Sequence, residues 1–453
     1  MTDIAKHVHN DRDEIFSQLK ALVSFNSVHG QPELKDETVG AAKWVEDAFC
    51  DAGFSVEAIE TEDDSIALVG EKKGAENAPT VLLYSHYDVV PAGDKDEWAT
   101  DPFALTERES ADGSTRWYGR GAADCKGNIA MHLAALRAVE TNGGSDLNLK
   151  VLIEGSEEQG GEGLSGLIAK RPELFAADVI LIADAGNAAV GTPTLVTSLR
   201  GGAQVKVTVS TLDAPVHSGQ FGGAAPDAVK ALMRAIDSLT DEHGRTQIDG
   251  IDCTATWEGQ GYPAEQFRAD AKVLEGTALM GEDGVDAIAD LIWARPSIAV
   301  TGVTSTPVDK AVNAVAHTAQ ANLNVRVPAT MDSQEVADAV AAHLKSHVPW
   351  GAHIDVDIWD VNRGFSTDPS SEALSTLGQC LAEAYGTETV TMGMGGSIPL
   401  TVELQEAHPA AQIALFGVEE PTCTIHSANE SVDPGEIEHV AAAEALFLTH
   451  FGK

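Results

Sequence analysis

The sequence predicts an α/β protein carrying an inserted α+β module, and three observations lead there. Short apolar runs at residues 80–83, 150–154 and 178–185 alternate with stretches of helical periodicity, the pattern of a mixed sheet flanked by helices. From about residue 195 the strands change character and alternate apolar with polar residues, as in a sheet with one open face. After about residue 365 the first pattern returns, which makes the first domain discontinuous. The expected organisation is residues 1–194 and 367–453 in one domain and 195–366 in the insert. Two domains also suit a chain of 453 residues, more than a single core normally supports.

Taken in order, residues 11–25 place Ile15, Phe16, Leu19, Leu22 and Val23 at helical spacing. A second helix over 37–52 buries Val39, Ala42, Val45, Ala48 and Phe49, with Gly53 where a C-cap belongs. Strands follow at 55–59 and 65–69, and the run from Thr80 then leads into Ser85-His86-Tyr87-Asp88. In an extended segment His86 and Asp88 point the same way, so the carboxylate can hold one ring nitrogen while the other binds a metal. A satisfied surface histidine is the plainer alternative. The segment 116–127, RWYGRGAADCKG, has neither the phosphate-loop nor the dinucleotide spacing, and Asp124 reads as a metal ligand or a helix cap.

A helix over 128–141 and a strand over 150–154 come next, delivering Glu157 and Glu158 between glycines. Such a pair is either solvated surface or a split of roles, one carboxylate on a metal and the other a general base. The strand at 178–185 opens on Asp178, read as a solvated start, and ends in Asp184. His86, Glu157, Glu158 and Asp184 all fall at strand carboxyl ends, where ligands gather in open α/β sheets. The insert reads as strands at 203–210, 297–303 and 318–327 with helices at 227–239 and 333–347; residues 240–295 are irregular and acidic. It suits a dimerisation or lid module, or a plain second domain. A helix at 372–385, a glycine-rich loop at 390–399, a strand at 412–418, the histidine of TIHSANE and a helix at 436–451 complete the chain.

The formal charge of −41, from 29 basic and 70 acidic residues, would repel nucleic acid and anionic membrane, so neither is an expected partner. It suits solubility, including at high salt. Five scattered cysteines without a CxxC pair argue for reduced thiols, and no apolar leader or membrane-length run is visible. A cytoplasmic protein is the expectation.

The strings SHYDVVP, YGRGAADCKG, EGSEEQGG, ADAG, HSGQFGG, NVRVP, GGSIP and IHSANE, in that order, resemble the carnosinase and cytosolic nonspecific dipeptidase branch of a di-zinc hydrolase family. That family also holds aminoacylases, carboxypeptidases and desuccinylases. The resemblance spans nearly the whole chain and implies a zinc-exopeptidase-like catalytic domain with an inserted α+β lid and dimerisation domain. By resemblance His86 and Asp184 hold one metal, Glu158 and His426 the other, and Asp124 bridges them. The implied cofactor is two Zn²⁺ per subunit, with Mn²⁺ a possible replacement. Asp88 orients His86, and Glu157 acts as general base for a metal-bound hydroxide.

The resemblance also gives His217 a place in the partner subunit's site, stabilising the oxyanion across a homodimer interface. A surface-loop histidine is the alternative. It assigns the substrate's terminal carboxylate to Arg326 and to the loop of Gly395, Gly396 and Ser397, although a cation on an alternating strand is otherwise solvated. Asn313 matches a polar position near the partner's site, yet Ala-Val follows it where the family has Ile-Pro. Cys125 stands where many relatives carry Asp or Asn; it is a perturbing thiolate or a small residue that fits. His132 and His317 match no ligand motif. The implied reaction is hydrolysis of dipeptides or short peptides with a free C-terminal carboxylate. Hydrolysis of N-acyl or N-carbamoyl amino acids is the alternative chemistry, and a metal-free scaffold the alternative class.

Overall fold

The apolar runs read from the sequence become the middle of a nine-stranded sheet in the computed structural model, which describes residues 3–111, 113–281, 286–396 and 398–452. The strand order is Ser55–Glu60, Ile66–Lys72, Asn148–Glu154, Thr80–His86, Val179–Ala183, Gln412–Phe416, Thr194–Leu199 and Phe365–Ser366, with Val390–Met394 also paired to Thr194–Leu199. The central four strands are parallel and almost wholly buried, which is why they read as continuous apolar runs rather than alternating ones. Their carboxyl ends therefore lie together. Ser55–Glu60, Ile66–Lys72, Thr194–Leu199 and Phe365–Ser366 extend this core by antiparallel pairing.

The chain divides into two compact units. The first comprises Met1–Thr197, Thr367–Met392 and Pro399–Lys453; the second comprises Ser198–Ser366 and Gly393–Ile398. In the first, helix Lys126–Thr141 is buried on nearly every side, and its Ala-rich sequence lets it lie close against helix Pro434–His450 in one large core. His132 on one helix and Glu444 on the other form a fully buried pair at 2.8 Å. His132 thus has a packing role, as a residue outside the ligand motifs should.

In the second unit a four-stranded antiparallel sheet runs in the order Ser297–Thr304, Thr318–Val327, Gly201–Ser210, His353–Asn362. Val205, Val207 and Val209 with Leu323, Val325 and Val327 bury one face against helices Ala228–Asp237 and Ser333–His347. Asp227 caps the first helix by accepting from the amides of Val229 and Lys230. The opposite face is half exposed and carries cross-strand amide pairs such as Asn322 to Gln204.

Several expectations change. The helix expected over 11–25 is present as Arg12–Val23, and a further helix that was not anticipated, Asp3–Asn10, precedes it. The loop expected at 390–399 contains strand Val390–Met394 and then the start of helix Pro399–Ala407. Strand His353–Asn362 was not anticipated, although Ile354, Val356 and Ile358 carry the period of two. Asp178 is more than a solvated strand start, because its carboxylate accepts the Thr80 amide at 2.7 Å and fixes the register of two central strands. No helix among the described residues is long and apolar enough to cross a membrane.

Candidate metal centre

Three candidate ligands and the candidate base are delivered by a strand end or the turn just after it. His86 is the last residue of Thr80–His86, Asp184 follows Val179–Ala183, and Glu157 and Glu158 open a short turn after Asn148–Glu154. Asp124 lies in the glycine-bearing loop before helix Lys126–Thr141, where a cis peptide joins it to Cys125. Glu430 holds that loop from below by accepting from the amides of Gly121, Ala123 and Asp124, while Arg120 neutralises it at 2.6 Å. His426 stands on a segment with left-handed backbone at φ 59°, an unfavourable conformation for a histidine.

The side chains converge as two half-sites joined by one carboxylate. His86 Nε2 lies 3.1 Å from Asp124 Oδ1 and 3.2 Å from Asp184 Oδ1. His426 Nε2 lies 3.0 Å from Asp124 Oδ2 and 3.1 Å from Glu158 Oε2. All five candidate ligands are thus brought together, with the Asp124 oxygens facing different histidines. Glu158 Oε1 is buried with no hydrogen-bond partner. An acid-rich cluster with an orphaned buried oxygen and, among the described residues, no lysine or arginine paired with it has the donor set for hard or borderline divalent cations. These residues fit a metal pair.

Asp88 is placed beside His86, but its carboxylate works differently from the expectation. The Nδ1–H of His86 donates to the Asp88 backbone carbonyl at 3.1 Å, and the Asp88 carboxylate stands 3.3 Å away. That carboxylate instead accepts the amides of Glu157 at 3.2 Å and Glu158 at 3.0 Å. One residue therefore fixes the imidazole through its main chain and the glutamate turn through its side chain. The tautomer this selects leaves His86 Nε2 free to ligate.

Charge shapes the centre. His426 is pushed up to about 10 by its hydrogen bonds to Asp124 and Glu158. Asp124 is held below the usual carboxylate range, burial being outweighed by His426 and His86. Burial, and then the Asp184 charge, raise Glu157 well above it. Cys125 is fully buried, donates to the Ala183 carbonyl at 3.0 Å, and has its thiol pushed well up by burial, so it is a small residue that fits and not a thiolate.

Two carboxylates escaped the sequence reading. Glu419 follows Gln412–Phe416, is buried, and brings an oxygen within 4.8 Å of those of Asp124 and Asp184. Glu430 is the amide acceptor described above. The rule that found Asp184, an acid just past a buried parallel strand, would have found Glu419. The remaining candidates belong to the second unit. His217 and Asn313 are exposed and adjacent, on a two-stranded ribbon where the Ser218 amide donates to the Asn313 carbonyl at 2.8 Å. Arg326 is half-buried on Thr318–Val327, and Gly395 and Gly396 follow strand Val390–Met394; Ser397 lies outside the described residues.

Comparison with known proteins agrees with this geometry. A cysteinylglycine-S-conjugate dipeptidase of Corynebacterium striatum is 55% identical over 445 residues, covering 98% of this chain and 96% of that protein. The Cys-Gly metallodipeptidase dug1 of Schizosaccharomyces pombe is 26% identical, with 98% and 96% covered. The solved structure of human carnosine dipeptidase 1 superposes with a TM-score of 0.76 at 23% identity, covering 98% of this chain and 97% of that one, which speaks to the fold. The model of the peptidase family M20/M25/M40 matches residues 82–450, from the strand that carries His86 to the final helix. The chain belongs to peptidase family M20/M25/M40.

Proposed function

We propose that the protein is a metal-dependent dipeptidase acting on dipeptides or short peptides with a free C-terminal carboxylate. The observation that carries this reading is the Asp124 carboxylate shared between two imidazole–carboxylate pairs. His86 and Asp184 would hold one ion, His426 and Glu158 the other, and Asp124 both; zinc suits these donors and manganese can replace it. Bound there, the pair supplies a Lewis acid for the scissile carbonyl and acidifies a water. Glu157 takes that water's proton on a carboxylate oxygen and returns it to the leaving nitrogen as the C–N bond breaks. Its buried position makes it a strong proton acceptor once ionised. Asp88 keeps Glu157 and Glu158 in register through their amides.

The insert, residues 195–366, is assigned the lid and dimerisation role, with residues 1–194 and 367–453 forming the catalytic domain. The outer strand Ser297–Thr304 supports a homodimer, since Val300 and Val303 stand 47% and 59% exposed on an open sheet edge. His217 is assigned to oxyanion stabilisation in the partner's site with Asn313 beside it, and Arg326 with Gly395 and Gly396 to the terminal carboxylate. Relatives named for cysteinylglycine substrates support the dipeptide class.

The test is a substrate panel with chelated protein reloaded with zinc or manganese. Dipeptides should be cleaved only after reloading, with two equivalents of metal bound; N-acyl amino acids cleaved faster than any dipeptide would overturn the reading. Mixing Glu157→Ala and His217→Ala chains tests the interface. Mixed dimers should regain one working site, and absence of any recovery counts against action in trans.

A further inference from the structure

The second unit holds two arginines that pair with no acid among the described residues. Arg200 follows strand Thr194–Leu199, and its Nη1 donates to Ser297 Oγ at 2.9 Å. Ser297 pairs across the sheet with Arg326, so the serine that holds Arg200 brings the two arginines into one neighbourhood. Among the described residues Arg326 makes no hydrogen bond or ion pair, and Arg200 pairs with no carboxylate. The Nε of Arg200 is buried and unsatisfied. Burial, then the Arg326 charge, push the Arg200 guanidinium down to about 10. The chain has 70 acidic and 29 basic residues, and among the described residues no acid pairs with either arginine. Two half-buried cations near one another are costly unless an anion completes them.

The surroundings say what kind of anion. Gly395 lies next to the guanidinium, since a β-carbon there would be in ordinary contact with Arg200 Nη2 at 3.4 Å. Gly202, opposite Arg326, is held to glycine by the Val325 carbonyl, with which a β-carbon would collide. Arg326 also lines a cavity of about 420 Å³ whose walls include Phe267, Leu279, Leu291 and Ile292. Charge beside an apolar hollow matches an organic carboxylate better than an inorganic anion.

We propose that Arg200 is a second substrate-binding residue that, with Arg326, grips the α-carboxylate of the C-terminal residue of a peptide. The identity of the ligand rests on the dipeptidase reading, whereas the existence of an anion site does not. The Ser297 bond fixes the plane of the Arg200 fork, leaving Nη2 and Nε to donate. Two forks on one carboxylate give a stronger and more oriented hold than Arg326 alone.

Phenylglyoxal modification, read by peptide mass spectrometry, tests the anion site without turnover. Acetate should protect Arg200 and Arg326 together, and Arg326→Gln should weaken protection of Arg200 several-fold. Kinetics with Ala-Gly and Ala-glycinamide test the ligand. Arg200→Gln should raise KM for the free acid roughly 10–100-fold, the loss expected for charged hydrogen bonds, while barely changing turnover of the amide. Arg200→Lys, which keeps the charge and the fold, should recover part of the loss. Equal losses on acid and amide, or reactive arginines that acetate fails to protect, would overturn the assignment. Sulfate protecting as well as acetate would overturn the choice of an organic carboxylate. Protection by acetate in a protein that cleaves no dipeptide would instead sink the dipeptidase reading and leave the anion site standing.

Discussion

The two units solve opposite electrostatic problems. The first gathers Asp124, Glu157, Glu158, Asp184 and Glu419 around two histidines, and among the described residues no lysine or arginine pairs with them. The second brings Arg200 near Arg326, and among the described residues no acid pairs with either. Elsewhere several buried charges are paired, as Arg120 with Glu430 and Arg116 with Glu420 show. At these two clusters a charged visitor of the other sign would restore the balance: cations in the first unit, a carboxylate in the second. A buried charge without a counter-charge is more informative than a buried salt bridge, because packing alone gives no reason to keep it.

That contrast can be broken at four depths. The largest effect is expected from Asp124→Asn, which weakens both half-sites at once. Metal content should fall well below two equivalents and activity should vanish, and a variant retaining both ions would show that Asp124 joins nothing. Asp88→Asn is next. Loss of its charge on the Glu157 and Glu158 amides should lower metal affinity or activity roughly 10–100-fold, as for other groups that orient ligands; wild-type affinity in a chelator competition would refute it.

The pH dependence comes third. His426 must be neutral to ligate, yet Asp124 and Glu158 hold its proton up to about 10 in the metal-free site. A raised folded value means the imidazolium stabilises the metal-free protein fully below its ordinary range near 6.5 and ceases to do so as pH climbs toward 10. Metal binding should therefore release a proton, and affinity should rise from pH 6 to pH 9; calorimetry in buffers of different ionisation enthalpy reads the release. The smallest effect should come from Asp227→Ala in the second unit, which removes a helix cap worth about 1 kcal/mol and leaves metal content untouched. A change in bound metal would mean that the units are not electrostatically separate.

Much of the first unit was legible because its strands are parallel and buried on both faces. Such strands show as unbroken apolar runs, and the polar residue just past each run is singled out by contrast, as His86 and Asp184 were. Asp88 was legible in place and not in manner, since no spacing rule tells a carbonyl from a carboxylate as the partner of His86 Nδ1. Glu419, just past the buried parallel strand Gln412–Phe416, was open to the same rule and was overlooked, whereas Glu430 was hidden because its meaning depends on the 424–432 segment reaching the Asp124 loop. Arg200 was hidden for another reason. A lone arginine after a strand looks solvated, and only the Ser297 bridge to Arg326 reveals that it shares its charge with a second one.

The hold of Glu430 on the Asp124 loop has a consequence for the order of assembly. Arg120 and the amides of Gly121, Ala123 and Asp124 meet their acceptor only when residue 430 has been made, and His426 comes from the same late stretch. During synthesis most of the chain leaves the ribosome before the central acid can be seated. Until then the half-site of His86 and Asp184 exists without its counterpart. Ion capture as a pair thus waits for chains that already include residues 426 and 430.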